Sequence, residues 1–272
     1  MSVRELVAQL TDEETHVLMD GPGDPVIYPY LASLSSDEGA RARLGAERSL
    51  QARGLLRFAD GTRETNSATP DPHVIDTESG TAVVDSSLRP VVAVRRGALV
   101  VLVAHRTICR VGPTSPLGRE LTRYLFVLDE VVVVEDVTAE GMHVLSIASL
   151  SHVDELLSEF LVPPGAAQGP EVEPVVVQQS LPPASVDASL HRPVLLAEVC
   201  LLTPWTVPES AIVALGSGGC YRSGEASRGH FNFEPMSSTA IVTQLADLLR
   251  SANDRQRREV SGLPGDQGTM SA

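Results

Sequence analysis

Lysine is absent from the chain, so all 21 cationic side chains are arginines, and the acidic residues outnumber them to give a formal net charge of -14. Binding to a nucleic acid or to an anionic membrane is mostly electrostatic and requires positive charge on the protein. We therefore expect no nucleic-acid partner and no membrane partner. The negative charge favours a partner that presents a basic or an apolar face.

Cysteine is scarce and widely spaced, with only Cys109, Cys200 and Cys220 in the chain and no CxxC pair. This pattern excludes a disulfide scaffold and a zinc ribbon, and we predict neither a metal nor a cofactor. No apolar run reaches the length of a membrane span, and the N-terminus "MSVRELVAQLTDEE" lacks the apolar centre of a signal peptide. We expect a cytoplasmic protein.

Aromatic residues make up 4% of the chain, so the core has to be built from Val, Leu, Ile and Ala. The length of 272 residues allows one large domain or two small ones. Changes in composition predict six regions. These are a helical N-terminal segment (1–58), a polar linker (59–80), a first α/β half (81–164), a linker (165–174), a second α/β half (175–252) and a disordered tail (253–272).

The pattern of apolar residues changes its period along the chain. "VRELVAQL" and "TDEETHVLMD" predict short helices, and Ser35 with Glu38 forms a capping box for a longer helix that Gly54 ends. The strand candidates are "VVAVRRG", "ALVVLVAH", "RYLFVLDE", "VVVVEDV", "HVLSI", "PVLLAEVCLL", "AIVALG" and "HFNFE". Asp129-Glu130 is a candidate turn, and helices are predicted after "HVLSI" and within "SSTAIVTQLADLLR".

Two stretches of the chain match at an offset of 88 residues. Gly141 then aligns with Gly229, Ser149 aligns with Ser237, and the helical stripes that follow also align. We interpret this as one strand–cap–helix unit used twice; chance similarity of two short segments is the alternative. The prediction is an α+β fold with a largely antiparallel central sheet, helices and two pseudo-symmetric halves.

The histidines and the cysteine in "HRTIC" do not form a recognisable catalytic or metal site. His143 and His230 do not align with each other under the offset, so we expect structural histidines at strand ends. His105 and Cys109 have no second pair of ligands nearby, and we expect an exposed His beside a buried Cys.

Carboxylates cluster in "EVVVVEDV", where Glu130, Glu135 and Asp136 lie close in sequence. Adjacent residues of a strand point to opposite faces, so Glu135 and Asp136 would not act together. We expect a solvated strand end, and we predict no catalytic residue in the chain.

The glycine-rich stretch "ALGSGGCYRSG" lacks the Lys-Ser/Thr of a phosphate-binding loop and is neither GxGxxG nor GxSxG. A hairpin or flexible loop on a rigid sheet could contact a partner. The single tryptophan, in "LLTPWTVPES", is either a core anchor or an exposed binding residue. The predicted partner-binding residues are Trp205, Gly216, Gly218, Gly219, Tyr221 and Arg222.

The N-terminal pattern resembles a known family. "LTDEETHVL", a Pro-containing break and "SSDEGARARLGAERSLQARGLL" are similar to the opening of the EspG family of ESX (type VII) secretion-associated proteins, over residues 10–56. The resemblance implies two similar halves around a central sheet. It also implies a non-enzymatic adaptor or chaperone that binds a helical secretion substrate.

Two other functions are consistent with the sequence. The helix that ends in "ARGLLRF" could belong to a winged-helix-like segment of a transcriptional regulator with an α/β ligand-sensing body, although residues 1–60 hold six Arg against ten acids. An enzyme would require His143, His230, Cys109 and the carboxylates to converge in a pocket.

Overall fold

The structure is a computed structural model that describes most of the chain. The described residues are 3–19, 24–58, 74–77, 79–109, 120–168, 172–178, 186, 188–223 and 230–261. Residues 59–73 of the predicted linker (59–80) and residues 262–272 of the predicted tail (253–272) lie outside the described residues, whereas Val74–Thr77 of the predicted linker form a strand.

A ten-stranded antiparallel sheet forms the centre of the fold. Its strands are β1 (Arg4–Thr11), β5 (Val100–Ile108), β6 (Glu120–Leu128), β7 (Val131–Thr138), β8 (Met142–Ser149), β9 (Val175–Gln178), β10 (Leu195–Leu202), β11 (Glu209–Gly216), β12 (Gly219–Ser223) and β13 (His230–Pro235). They lie in the order β1-β8-β7-β6-β5-β10-β11-β12-β13-β9. Strands β5 to β8 form one meander, with β1 added at its outer edge, and strands β10 to β13 form a second meander, with β9 added at its outer edge. The two meanders meet at the β5–β10 pair.

Helices and a small sheet surround the central sheet. The small sheet has the order β2-β4-β3 and consists of β2 (Leu56–Phe58), β3 (Val74–Thr77) and β4 (Gly80–Val84). The helices are α1 (Asp12–Met19), α2 (Pro29–Ala32), α3 (Ser36–Ala52), α4 (Arg89–Gly97), α5 (Val153–Leu161) and α6 (Ser238–Ser261). The architecture is α+β, as predicted.

Both faces of the first half of the sheet are buried. Val132 and Val134 of β7 pack with α5 and α6 on one face, which we call the α5–α6 face. Val133 and Val137 pack with α1, α3 and α4 on the other, which we call the N-terminal face. Because both faces exclude water, the strands are continuous apolar runs rather than alternating ones. This explains why "VVVV" is stable inside β7.

Turns and caps agree with the sequence. The Glu38 carboxylate accepts the Ser35 N–H at 3.0 Å, which is the reciprocal bond of the predicted capping box. Gly54 follows the end of α3 with φ +73°, a conformation that favours glycine. The predicted turn at Asp129-Glu130 joins β6 to β7, and Asp129 has φ 55°.

The helical prediction for the first residues was wrong, because residues 4–11 form strand β1, which pairs with β8. Val3, Val7 and Leu10 have helical spacing in the sequence. In the structure a register shift between Leu6 and Ala8 interrupts the strand alternation, so the apolar spacing resembles that of a helix. Pairing at the sheet edge therefore decides the local structure.

The strand prediction for "VVAVRRG" was also wrong, because residues 89–97 form helix α4. Pro90 lies in its first turn, where a missing N–H costs nothing. Val91, Val92, Val94 and Arg95 are buried against the N-terminal face of the sheet. Packing of this stripe outweighs the weak preference of valine for strands.

Helix α6 runs to Ser261, so the predicted disordered tail does not begin at residue 253. Asn253 is buried, and its side-chain amide donates to the Asp129 carbonyl at 2.9 Å. This contact joins the second half of α6 to the β6–β7 turn. Among the described residues, no helix is both long enough and apolar enough to cross a membrane.

Candidate functional site

An open groove of about 320 Å³ lies on the α5–α6 face, between α6 and the strands of the second half. Most of the lining residues are apolar and the polar ones come from β11 and β12, but polar and apolar atoms contribute comparably to the exposed surface of the groove. The lining residues are Leu102, Val199, Leu201, Val207, Pro208, Glu209, Ser210, Ala211, Arg222, Leu245 and Leu248. The groove is large enough to take one or two apolar side chains of a partner.

The loop between β10 and β11 forms one rim of the groove. Val207 in this loop is 82% exposed, which is the highest value among the large apolar side chains of the described residues. Trp205 is half-buried and packs against the core, with the Arg255 guanidinium 5.5 Å from the ring centroid. One part of Trp205 therefore contacts the core and another part faces solvent.

Arg222 lines the groove from β12 and is the only cation among its described lining residues. Its Nε is buried and has no hydrogen-bond partner among the described residues. Arg222 lies opposite Glu234 in the β12–β13 register, yet no ion pair within 4.0 Å joins the two side chains. The groove therefore contains one cation whose hydrogen-bonding capacity is not used.

The other predicted partner-binding residues lie around the β11–β12 turn, and most of them are not at the surface. Tyr221 has 0% exposure, and its hydroxyl is hydrogen bonded to Nδ1 of His191. Gly216 and Gly219 are buried as well. Gly218 is exposed, and a Cβ there would lie 2.9 Å from the His191 carbonyl oxygen. Of this set, only Gly218 and Arg222 are accessible to a partner.

A buried charge cluster lies under the N-terminal face, remote in sequence from the groove residues. His143 of β8 contacts the Asp12 carboxylate through Nε2 at 2.7 Å and the Glu135 carboxylate through Nδ1 at 2.6 Å. All three side chains have 0% exposure. Glu135 is also 3.3 Å from Nε of Arg95, whose guanidinium donates to Asp24 at 2.9 Å.

The geometry of the cluster favours a positively charged His143. A neutral imidazole has a single N–H, so both ring nitrogens can donate to carboxylates only in the protonated form. Burial works against that charge, but the hydrogen bonds to Asp12 and Glu135 outweigh it and raise the pKa of His143 above its ordinary value. Burial also raises the pKa of nearby Tyr124 to about 12. Tyr124 therefore keeps its proton at neutral pH.

The cluster holds the N-terminal segment against the sheet. Asp12 also accepts the backbone N–H groups of Tyr30 and Leu31, at 2.5 and 3.1 Å, and so fixes the first turn of α2. A Cβ at Gly141 would lie 2.9 Å from Cγ of Asp12, which explains the glycine there. Since every charged group in the cluster bonds to another part of the chain, the arrangement is structural.

A second buried ion pair lies on the α5–α6 face and links α5 to the sheet. Arg123 donates to Asp136 through Nε at 2.6 Å and to the Leu156 carbonyl at 2.7 Å. Glu135 and Asp136 point to opposite faces, as the strand alternation predicts. The expectation of a solvated strand end was wrong for both, because each is buried by a cationic partner from another strand.

The remaining candidates from the sequence are dispersed. His105 is exposed and lies 2.9 Å from the Thr122 hydroxyl, while Cys109 is half-buried rather than fully buried. His230 begins β13, opposite Gln178 of β9. In the part of the chain that the structure describes, no group of three or more His, Cys, Asp or Glu side chains is arranged to hold a metal ion.

Comparison with known proteins finds similarity among solved structures. No protein-family model matches the sequence, and neither does any curated protein. One similar solved structure is that of the Mycobacterium tuberculosis type VII secretion system chaperone EspG5 in complex with the PE25-PPE41 dimer. The alignment covers 90% of this chain and 96% of that chain, with 10% identity and a TM-score of 0.47. A TM-score at this level does not establish a shared fold.

Among the predicted residues, Arg222 lines the groove and Trp205 lies in the loop at its rim; sequence reasoning missed the other lining residues. The exposed Val207 stands two residues after Trp205, and its apolar side chain in a Pro-flanked loop was a usable sign. Leu102 of β5 and Leu245 of α6 could not be recognised in this way, because leucines at such positions of an apolar pattern are usually core residues.

Proposed function

We propose that this chain is a non-enzymatic, cytoplasmic binding protein, an EspG-like adaptor or chaperone for a helical protein partner. The observation that supports this proposal is the open apolar groove beside α6, with Val207 exposed on its rim. A docked partner would bury Val207 together with the apolar side chains that line the groove. The resemblance of residues 10–56 to the EspG family points to the same kind of activity.

The shape of the groove suits an amphipathic helix. One wall is α6 itself, and the floor is formed by β10 and β11, so a partner helix could lie beside α6 on the same sheet. Helix-in-groove recognition places apolar side chains at i, i+3, i+4 and i+7 into such a surface. Trp205 at the rim would then supply a large, rigid contact near the edge of the interface.

We also propose that the two halves are pseudo-symmetric, as the resemblance implies. The strand order supports this, because β1-β8-β7-β6-β5 and β10-β11-β12-β13-β9 follow the same scheme on either side of the β5–β10 pair. The offset of 88 residues carries the first residue of β8, Met142, onto the first residue of β13, His230. Each meander is followed by a serine and a helix: Ser149 caps the 3-10 turn (Leu150–His152) that leads into α5, and Ser237 accepts the Ala240 N–H in the first turn of α6.

The test is capture of a partner from the native cytosol with tagged protein, followed by mass spectrometry. The variants are Val207→Asp at the groove rim and Leu6→Asp on the outer strand β1. Both replace an exposed apolar side chain with a carboxylate, since Leu6 is 58% exposed, but only the first lies in the groove.

We expect the wild type and the Leu6→Asp variant to retain the same helical protein in stoichiometric amounts, and the Val207→Asp variant to lose it. Retention of the partner by all three proteins would remove the groove as the binding surface. A preparation without any partner would argue against the adaptor function itself.

A further inference from the structure

Arg222 provides information about the partner that the apolar walls do not. It is the one cation among the described residues that line the groove, and its buried Nε has no hydrogen-bond partner among the described residues. Other half-buried arginines of the protein are bonded: Arg4 pairs with Asp136, and Arg250 pairs with Asp154. Arg95, Arg106 and Arg257 also have a buried Nε without a hydrogen-bond partner, but each is bonded through another nitrogen. Arg222 differs from them because no side-chain hydrogen bond or ion pair joins it to another described residue.

A buried donor without a partner is unfavourable, and native proteins rarely keep one without a reason. The neighbouring acids do not satisfy Arg222. Glu209 lines the same groove and Glu234 faces Arg222 in the strand register, yet neither forms an ion pair with it. The guanidinium therefore remains available to an anionic group that enters the groove.

We propose that the groove binds a partner helix that carries an Asp or Glu beside its apolar stripe, and that this carboxylate pairs with Arg222. The inference rests on the proposed function, because it names the chemistry of the helix that the groove would take. The planar guanidinium is suited to a carboxylate through two parallel N–H donors, and such charge-assisted bonds are the strong ones. The pair would fix the register of the helix along α6, while apolar burial would supply most of the affinity.

A helix explains the surroundings of Arg222 better than a small amphiphilic carboxylate does. The groove is open along one side, and Val207, one of its lining residues, is 82% exposed. A protein segment that spans the groove would cover Val207 from outside and place a carboxylate over β12 at the same time. A free fatty acid within about 320 Å³ would contact only the side of Val207 that lines the groove.

The experiment selects helical peptides rather than assuming a sequence. A phage library of 18-residue helical peptides, randomised along one face, is selected on the immobilised full-length protein. A selected peptide and its carboxylate-to-amide counterpart are then measured by fluorescence anisotropy against the wild type, Arg222→Gln and Val207→Asp. Circular dichroism confirms that each variant is folded.

We expect enrichment of Asp or Glu at one fixed spacing from the apolar stripe. Loss of the peptide carboxylate should weaken binding to the wild type about tenfold or more, the effect of one charge-assisted hydrogen bond. The same loss should have almost no effect on the Arg222→Gln variant, because the two groups form one pair.

Three results would contradict the inference, and they separate it from the proposed function. Peptides that depend on Val207 but show no acidic preference, or no Arg222 dependence, would overturn the carboxylate pair alone. Peptides insensitive to Val207→Asp, or no enrichment at all, would overturn the groove as a helix-binding surface. Arg222-dependent binding of dodecanoate without any selected peptide would assign the groove to a small carboxylate instead.

Discussion

Removal of the His143 side chain is the substitution that tests the buried charge cluster most severely. His143→Ala leaves the carboxylates of Asp12 and Glu135 buried with fewer partners, and breaking a buried ion pair in this way typically costs about 3–5 kcal/mol. Asp12 keeps two backbone N–H donors, and Glu135 keeps Arg95 at 3.3 Å. We therefore expect a loss near the lower end, about 3 kcal/mol.

The effect should depend on pH in a defined direction. The folded-state pKa of His143 is raised above the ordinary value of 6.5, so protonation is favoured by folding. Its contribution to the free energy of unfolding is fully present below pH 6.5 and is lost as the pH rises through the folded pKa. The difference in free energy of unfolding between the wild type and His143→Ala should therefore become smaller at alkaline pH.

The assay is urea unfolding followed by circular dichroism, from pH 5 to pH 9. His152→Ala is the matched control, because His152 also contacts a carboxylate, Glu155, at 2.7 Å, but is 45% exposed. Exposed pairs contribute about 0–1 kcal/mol, so the control should change little. A loss below about 1 kcal/mol for His143→Ala, or a wild-type–variant difference that grows with pH, would refute the assignment of His143 as a buried imidazolium.

Three further predictions use other parts of the structure. Gly141→Ala should destabilise the protein by more than Gly54→Ala in urea unfolding. Both glycines have positive φ (+78° and +73°), but only at Gly141 would the new Cβ lie 2.9 Å from Asp12. Equal losses of stability would contradict the close contact. Burial raises the pKa of Asp136, but the hydrogen bond and charge of Arg123 outweigh this and lower it. The stabilisation by Asp136 is therefore present above pH 3.8 and lost as the pH falls through the folded pKa. Asp136→Asn should reduce the fall in the free energy of unfolding at acidic pH, and an unchanged fall would argue against the Arg123–Asp136 pair. Trp205 is the single tryptophan, so a helix in the groove should shift its emission to shorter wavelength, and an unchanged spectrum on saturation with a selected peptide would place the peptide elsewhere.

Much of the central sheet could be predicted from the sequence. Strands β5 to β8, β10, β11 and β13 are long β-branched or apolar runs separated by clear turns, and tertiary packing agrees with their local preference. The helices α3 and α5 were predicted from their apolar stripes, α3 also from its capping box; the predicted serine Ser149 caps the 3-10 turn before α5 rather than α5 itself.

The errors lie where packing opposes local preference. The apolar spacing of β1 is helical, but its backbone pairs with β8, more than 130 residues away. The valines of α4 favour a strand, but Pro90 and the burial of one stripe against the sheet make a helix. A short segment contains no information about such distant partners, so local rules fail at both places.

The candidate site was predicted only in part, for a related reason. Trp205 and Arg222 stand out by residue type, whereas the groove itself is formed by residues from β5, β10, β11, β12 and α6 that meet only in the folded protein. Tyr221 also stands out by type, but the segment around His191 covers it. Exposure is a property of the whole fold, and a residue type does not determine it.

The most direct test of the central claim is site-specific photo-crosslinking in the native cytosol. A photoreactive amino acid replaces Val207 at the groove rim and, in a separate protein, replaces Leu6 on β1. We predict that the residue at position 207 crosslinks to one amphipathic helix of one protein partner, and that the residue at position 6 does not. Crosslinking of the same partner from position 6 but not from position 207, or no crosslink at position 207, would contradict a helix-binding groove beside α6.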